Sequence, residues 1–139
     1  MKLAVDTNTL VSGFLWDGIP AQLITAALAG RARLFVTQPL LLELQATLRR
    51  PKFSARLASR GETPDSLVLK YRSAATEIEP AHITPPPNLR DADDIAILAC
   101  AAAAEADLIV SGDEDLLVLR VFGNIPIINA AQALELIGR

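Results

Sequence analysis

Four short apolar runs, each closed by a polar residue and followed by a helical pattern, constrain this chain more than any other feature. Leu3, Ala4 and Val5 lead into Asp6, after which Thr7 and Asn8 offer capping oxygens for a helix beginning near Thr9. Leu34, Phe35 and Val36 lead into Thr37 and a helix over residues 39–50. Leu108, Ile109 and Val110 lead through Ser111 and Gly112 to Asp113, with a helical pattern in Leu116, Leu117 and Leu119. Ile125, Pro126, Ile127 and Ile128 lead into Asn129 and a C-terminal helix, and Pro126, which has no N–H to donate, suits an edge strand. Short β-runs alternating with helices imply βαβ units and a mostly parallel sheet covered on both faces, so the class is α/β. Residues 51–77 are helical in pattern and more polar, with Gly61 and Pro64 separating two helices, and are expected as a hairpin standing off the sheet. Residues 80–88 are proline-rich and read as an extended connection back to the core.

A chain of 139 residues fits one domain, residues 1–139, that buries roughly two-thirds of its unfolded surface. The longest unbroken apolar run, residues 95–104, is about half of the ~20 residues a membrane span needs, and is expected as a buried helix. Asp6 interrupts the short apolar N-terminus, so no secretory leader is expected, and a cytoplasmic location follows. Cys100 is the only cysteine, which excludes an internal disulfide and a paired-thiolate zinc site. Flanked by alanines, it reads as inert core. His82, the only histidine, lies in the proline-rich loop. Carboxylates remain as the abundant reactive groups.

Net charge is −3, but its distribution is uneven: residues 49–72 carry +5 and the remainder −8. Arg49, Arg50, Lys52 and Arg56 head that basic stretch. It is either a solvated helical face or a surface for nucleic acid or a protein partner. The acidic remainder would be partly neutralised by bound metal ions.

Asp6 and Asp113 both follow strands, where ligands bind in open α/β sheets. An ionised aspartate is a poor core filler because desolvation without a partner is costly, and two on neighbouring strands repel unless a cation lies between. A third element is Asp91, Asp93 and Asp94 at the start of the apolar helix. The helix dipole favours acids in a first turn, yet three exceed what capping requires. Asp91 and Asp94 share a helix face, Asp93 projects elsewhere, and Asp94 is nearest the apolar helix. Glu43, the only acid between Asp17 and Glu62, sits among leucines on the helix after the second strand. It either faces solvent along a polar edge with Thr47 and Arg50, or joins the aspartates. Hard oxygen donors in this number suit Mg²⁺ or Mn²⁺. The chemistry they point to is phosphodiester hydrolysis, in which a metal pair ~3.5–4 Å apart stabilises the attacking and leaving oxygens.

Val5-Asp6-Thr7-Asn8, Leu42-Glu43-Leu44, Asp94 to Ala99, and Ile109 to Leu116 together resemble the PIN domain, in order and spacing along the whole chain. The similarity is closest to the VapC toxins of bacterial toxin–antitoxin systems. The resemblance implies an α/β/α sandwich with a central parallel sheet of four or five strands and Mg²⁺- or Mn²⁺-dependent cleavage of single-stranded RNA. It carries the family's acidic quartet onto Asp6, Glu43, Asp94 and Asp113. Asp6, Asp94 and Asp113 would hold metal, with Glu43 assisting a second ion or orienting water. Asp91 and Asp115 are auxiliary candidates; Thr7 and Asn8 would orient Asp6 or the phosphate, and Ser111 stands where the family often has threonine. The partners implied are an RNA substrate, an antitoxin protein and a second copy of the chain.

Two other function classes compete. A catalytically silent PIN-like module for RNA binding or assembly would be marked by loss of an acid, and none is missing. A phosphoryl-transfer protein of receiver or phosphatase type needs a late lysine or a second aspartate two residues beyond the first. Here that position is Asn8, and no lysine follows Lys70.

Overall fold

The computed structural model describes residues 1–138. Six strands, β1 (Lys2–Val5), β2 (Arg33–Val36), β3 (Thr76–Glu77), β4 (Leu108–Val110), β5 (Val121–Phe122) and β6 (Ile125–Ile128), form one sheet in the order β3-β2-β1-β4-β6-β5. All neighbouring pairs are parallel except β5–β6. Helices α1 (Thr7–Leu15), α2 (Ile19–Ala26), α3 (Gln38–Leu48), α4 (Ser54–Ser59), α5 (Pro64–Ala74), α6 (Ala92–Ala104), α7 (Glu114–Leu117) and α8 (Ala130–Ile137) flank it, giving the expected α/β/α sandwich.

The four strands read from sequence are the parallel core, and the sheet exceeds the expected size through β3 and β5, each two residues long. Two residues are too few to show a period, so pattern could not reveal them. Pro126 therefore lies one strand in from the edge: β5 closes over β6 in a hairpin turned at Gly123, whose φ of 62° favours glycine. Leu3, Ile109 and Val110 are fully buried because β1 and β4 are covered on both sides.

The apolar run forms α6 as expected, lying across β1, β2 and β4, with Leu98, Cys100 and Ala101 wholly buried. Burial pushes the Cys100 thiol up to about 12, which removes it from chemistry at neutral pH. Its alanines let the helix approach the sheet closely. Residues 80–86 form no helix or strand, are tied by the Ala81 N–H to the Ala99 carbonyl at 3.1 Å and leave His82 exposed, and residues 87–88 turn, the Leu89 N–H donating to the Pro86 carbonyl at 3.0 Å.

The basic segment departs from expectation. It does not stand off the sheet as a hairpin: α5 packs on α3, and Leu57, Leu67 and Tyr71 join the hydrophobic core. The Tyr71 ring meets Phe14 edge-on at 5.7 Å. Its hydroxyl is buried without a hydrogen-bond partner among the described residues, and burial raises its pKa.

Helices α1 and α2 meet at Gly13, where a Cβ would lie 2.3 Å from Ile24 Cδ1 and 3.0 Å from the Pro20 carbonyl oxygen. Gly13→Ala gains about 1 kcal/mol of helix propensity but forces this contact apart, an overpacking cost of about 1–3 kcal/mol. A net loss of stability is expected in urea unfolding, and a gain would show that the interface yields freely. Tyr71→Phe removes an unpartnered buried hydroxyl while keeping the ring contact, so a gain of up to about 1 kcal/mol is expected in the same measurement.

Candidate active site

The chain leaves β1 for β2 and β3 on one side of the sheet and returns to β4 and β6 on the other, so strand order reverses between β1 and β4. The crevice beyond their carboxyl ends is where α/β sheets bind ligands. Asp6 is the first residue past β1, its N–H donating to the Val110 carbonyl at 3.0 Å. The aspartate itself caps α1, a role the sequence pattern assigns to Thr7 and Asn8: Asp6 Oδ1 accepts from the Thr9 N–H at 2.9 Å. Asp6 Oδ2 accepts from the Ser111 hydroxyl at 2.5 Å. Ser111, wholly buried, also accepts from the Asp113 N–H at 3.0 Å. One hydroxyl therefore holds the carboxylate after β1 and the backbone of the carboxylate after β4.

Asp113 caps α7 through a bond from the Asp115 N–H to Oδ1 at 2.9 Å. Asp91 caps α6 similarly, accepting from the Asp93 N–H at 2.9 Å. The first turn of α6 then presents Asp94, 8% exposed, toward Asp113. A small cavity of about 80 Å³ is lined by Asp6, Glu43, Asp91, Asp93, Asp94 and Asp113, together with Thr7 and Asn8, and, among the described residues, by no cationic side chain. Carboxylate oxygens of Asp94, Asp113 and Asp115 come within 4.8 Å of one another. Asp115, an auxiliary candidate in the sequence, thus belongs to the tightest group, whereas Asp6 lines the same cavity with both oxygens already accepting hydrogen bonds. Three hard oxygen donors this close, without a basic partner, fit a divalent cation.

Glu43, half-buried on the second turn of α3, accepts a short hydrogen bond from the Thr7 hydroxyl. Thr47 is buried, so Glu43 does not sit on a solvated polar edge. Thr7 serves Glu43 and not Asp6. Asp93 also faces Glu43, although helix phase sets it apart from Asp91 and Asp94. The crevice lies between α3 and β4, and the first turn of α6 straddles it. Successive acids therefore reach it from two sides. The signal in the sequence was the run of three acids, more than capping requires.

Crowding shows in the protonation of these groups. Burial, then the repulsion of Asp113 and Asp91, pushes Asp94 up to about 6. Burial raises Glu43 to about 7, the Asp93 and Asp6 charges adding to it and the Thr7 bond opposing it.

Only part of the +5 of the basic segment is balanced from outside it, by Asp17 and Glu77, since Asp65 and Glu62 already count within the segment. Arg49 pairs with Asp65 at 3.2 Å, Arg60 with Asp17 at 3.4 Å, Lys70 with Glu62 at 2.7 Å and Arg72 with Glu77 at 2.8 Å. Arg56 donates to the Leu15 carbonyl at 2.5 Å and lies over the Trp16 ring. Lys52 lies over Phe53, and Arg50 and Lys52 are exposed without an ion pair among the described residues.

Asp94 and Glu43 bind protons more tightly folded than unfolded, where their pKa values are 3.8 and 4.5. Between pH 4 and 7 the native state therefore holds more protons than the unfolded chain, and stability falls as pH rises. In EDTA the melting temperature should drop by roughly 5 °C from pH 5 to 7.5, allowing for solvent screening. Thermal melts of the native chain and of Asp94→Asn test this: the variant should show a shallower pH slope. Equal slopes would contradict it.

A comparison with curated proteins found no match. The sequence profile of the PIN domain matches residues 2–115, from β1 through the first turn of α7, and so spans every acid of the crevice. The chain belongs to the PIN-domain family, whose members are generally nucleases that use divalent metal ions.

Proposed function

We propose that this chain is a cytoplasmic, Mg²⁺- or Mn²⁺-dependent endoribonuclease that hydrolyses phosphodiester bonds of single-stranded RNA. One observation carries the reading: Asp94 and Asp113 line a crevice with Asp6 and Glu43 and, among the described residues, no basic side chain, and their carboxylates come within 4.8 Å of that of exposed Asp115. Burial first, and then the charges of Asp113, Asp91 and Asp115, raise the pKa of Asp94, and a divalent cation would offset both. Small, hard, water-retaining ions match such a donor set.

In this mechanism Asp94, Asp113 and Asp115 would hold the ion, with Asp6, fixed by Ser111 and the Thr9 N–H, as a further carboxylate of the site. A bound divalent ion supplies charge neutralisation for the phosphodiester and lowers the pKa of water. Glu43, oriented by Thr7 and titrating near 7, takes the proton of the attacking water. Asn8, exposed at the rim, presents its amide to the phosphate. Asp91 and Asp93 add negative potential, Asp93 by keeping Glu43 basic. All four acids of the family pattern are present, which favours turnover over a silent binding module.

The finer role, the toxin of a toxin–antitoxin pair acting as a homodimer, rests on the resemblance of the motifs to the VapC toxins. An antitoxin would be a small DNA-binding protein encoded directly upstream, and it should suppress cleavage when added. Of the basic residues weighed for RNA or partner contact, Arg50 and Lys52 carry the charge not already committed within the fold, while Arg49 and Arg56 are engaged.

RNA cleavage with Mg²⁺ or Mn²⁺ should be abolished by EDTA and reduced at least ~100-fold in Asp94→Asn and Asp113→Asn. Ser111→Ala, which releases Asp6 and the Asp113 backbone together, should lose about 10-fold. Cleavage that survives EDTA, or is indifferent to both aspartate substitutions, would falsify the mechanism. At pH 7.5, 5 mM Mn²⁺ should raise the melting temperature of the native chain by roughly 3–8 °C and leave that of Asp94→Asn unchanged.

A further inference from the structure

Beside the acidic crevice lies a second cavity, of about 460 Å³, and Asn8 and Asp113 line both. The two spaces differ in chemistry. The crevice, at about 80 Å³, has room for ions and phosphate oxygens but not for a nucleoside. The neighbour falls within the ~300–1,000 Å³ range of small-molecule sites. Ile19 at the start of α2 and Ala130 and Ala131 in the first turn of α8 give it apolar walls. Ile19 is a large hydrophobic side chain left 40% exposed there. Asn8 and Ser12, four residues apart and so on one face of α1, put an amide and a hydroxyl at its rim. Asp113, its one ionisable lining residue, stands at the boundary.

We infer that this cavity is a nucleobase subsite, receiving the base of the nucleotide joined to the phosphate at Asp113. The inference rests on the ribonuclease reading above. A phosphate would meet no cation in this space, whereas a base brings flat apolar faces and a hydrogen-bonding edge. The walls bind any base by contact. Discrimination falls to the Ser12 hydroxyl, because it rejects a base edge that leaves it unpaired, while the Asn8 amide is given to the phosphate. Sharing Asp113 fixes the phosphate and its base on two sides of a single residue, so the cavity sets which nucleotide is cut.

The test uses the whole protein with Mn²⁺ and a degenerate-sequence RNA, together with an oligoribonucleotide carrying an abasic residue beside the preferred cut. The native chain should show a base preference at one position next to the scissile bond. Ala131→Trp, filling the cavity from an exposed position, should raise KM about tenfold and flatten that preference. It should leave the Mn²⁺-induced shift in melting temperature unchanged and should cut the abasic oligonucleotide as the native chain does. Ile19→Ala and Ser12→Ala, both at exposed positions, give the same answer without added bulk: weaker KM for the first, altered preference for the second. If the native chain cuts RNA and all three variants keep its KM and preference, the subsite is wrong and the ribonuclease reading stands. If the native chain cuts no RNA with Mn²⁺, the ribonuclease reading falls and the subsite with it.

Discussion

The buried hydroxyl of Ser111 donates to Asp6 and accepts from the Asp113 backbone, while its own N–H donates to the Ile128 carbonyl. Three strands, β1, β4 and β6, are thereby joined at the carboxyl edge of the sheet by one wholly buried residue, the first two through its hydroxyl and the third through its backbone. Without that bridge the two strand-end carboxylates would face each other across a crevice with nothing to fix their distance. A hydroxyl suits the position because it donates and accepts at once, which neither an alanine nor a further acid could do.

The remaining order of the site follows from how each acid is occupied. Asp6, Asp91 and Asp113 each spend one oxygen on a helix N-terminus, so three short helical starts aim at one point while their carboxylates are held rigid. Asp94 has no such cap. It is held near Asp113 by the packing of α6 across the sheet, and burial, with the charges of Asp113 and Asp91 added, raises its pKa. Buried like charges persist in a marginally stable protein only when the surroundings over-determine them, here through the wholly buried residues of β1, β4 and α6.

The basic segment shows the opposite economy of charge. Its local excess in the sequence suggests an electropositive surface, but most of its cations find acids or aromatic rings nearby once the helices pack. Exposed pairs of this kind add little stability. Two of the four pairs, with Asp17 and Glu77, lower the net charge of the segment, and Arg50 and Lys52 stay exposed without an ion pair among the described residues.

Sequence alone determined the alternation of strands and helices, the buried course of α6 and the position of acids at the ends of β1 and β4, since all of these follow from local periodicity and capping chemistry. Asp6 and Asp113 were legible because a carboxylate directly after an apolar strand has no core-filling purpose. Sequence could not determine which acids approach one another. Asp115 joins Asp94 and Asp113 through the tight turn that caps α7, and Asp93 meets Glu43 only because α3 packs against the start of α6. The two-residue edge strands and the docking of α5 were equally hidden, being set by contacts between residues far apart in the chain. Local pattern fixes where carboxylates can stand, and tertiary packing decides which of them share a charge.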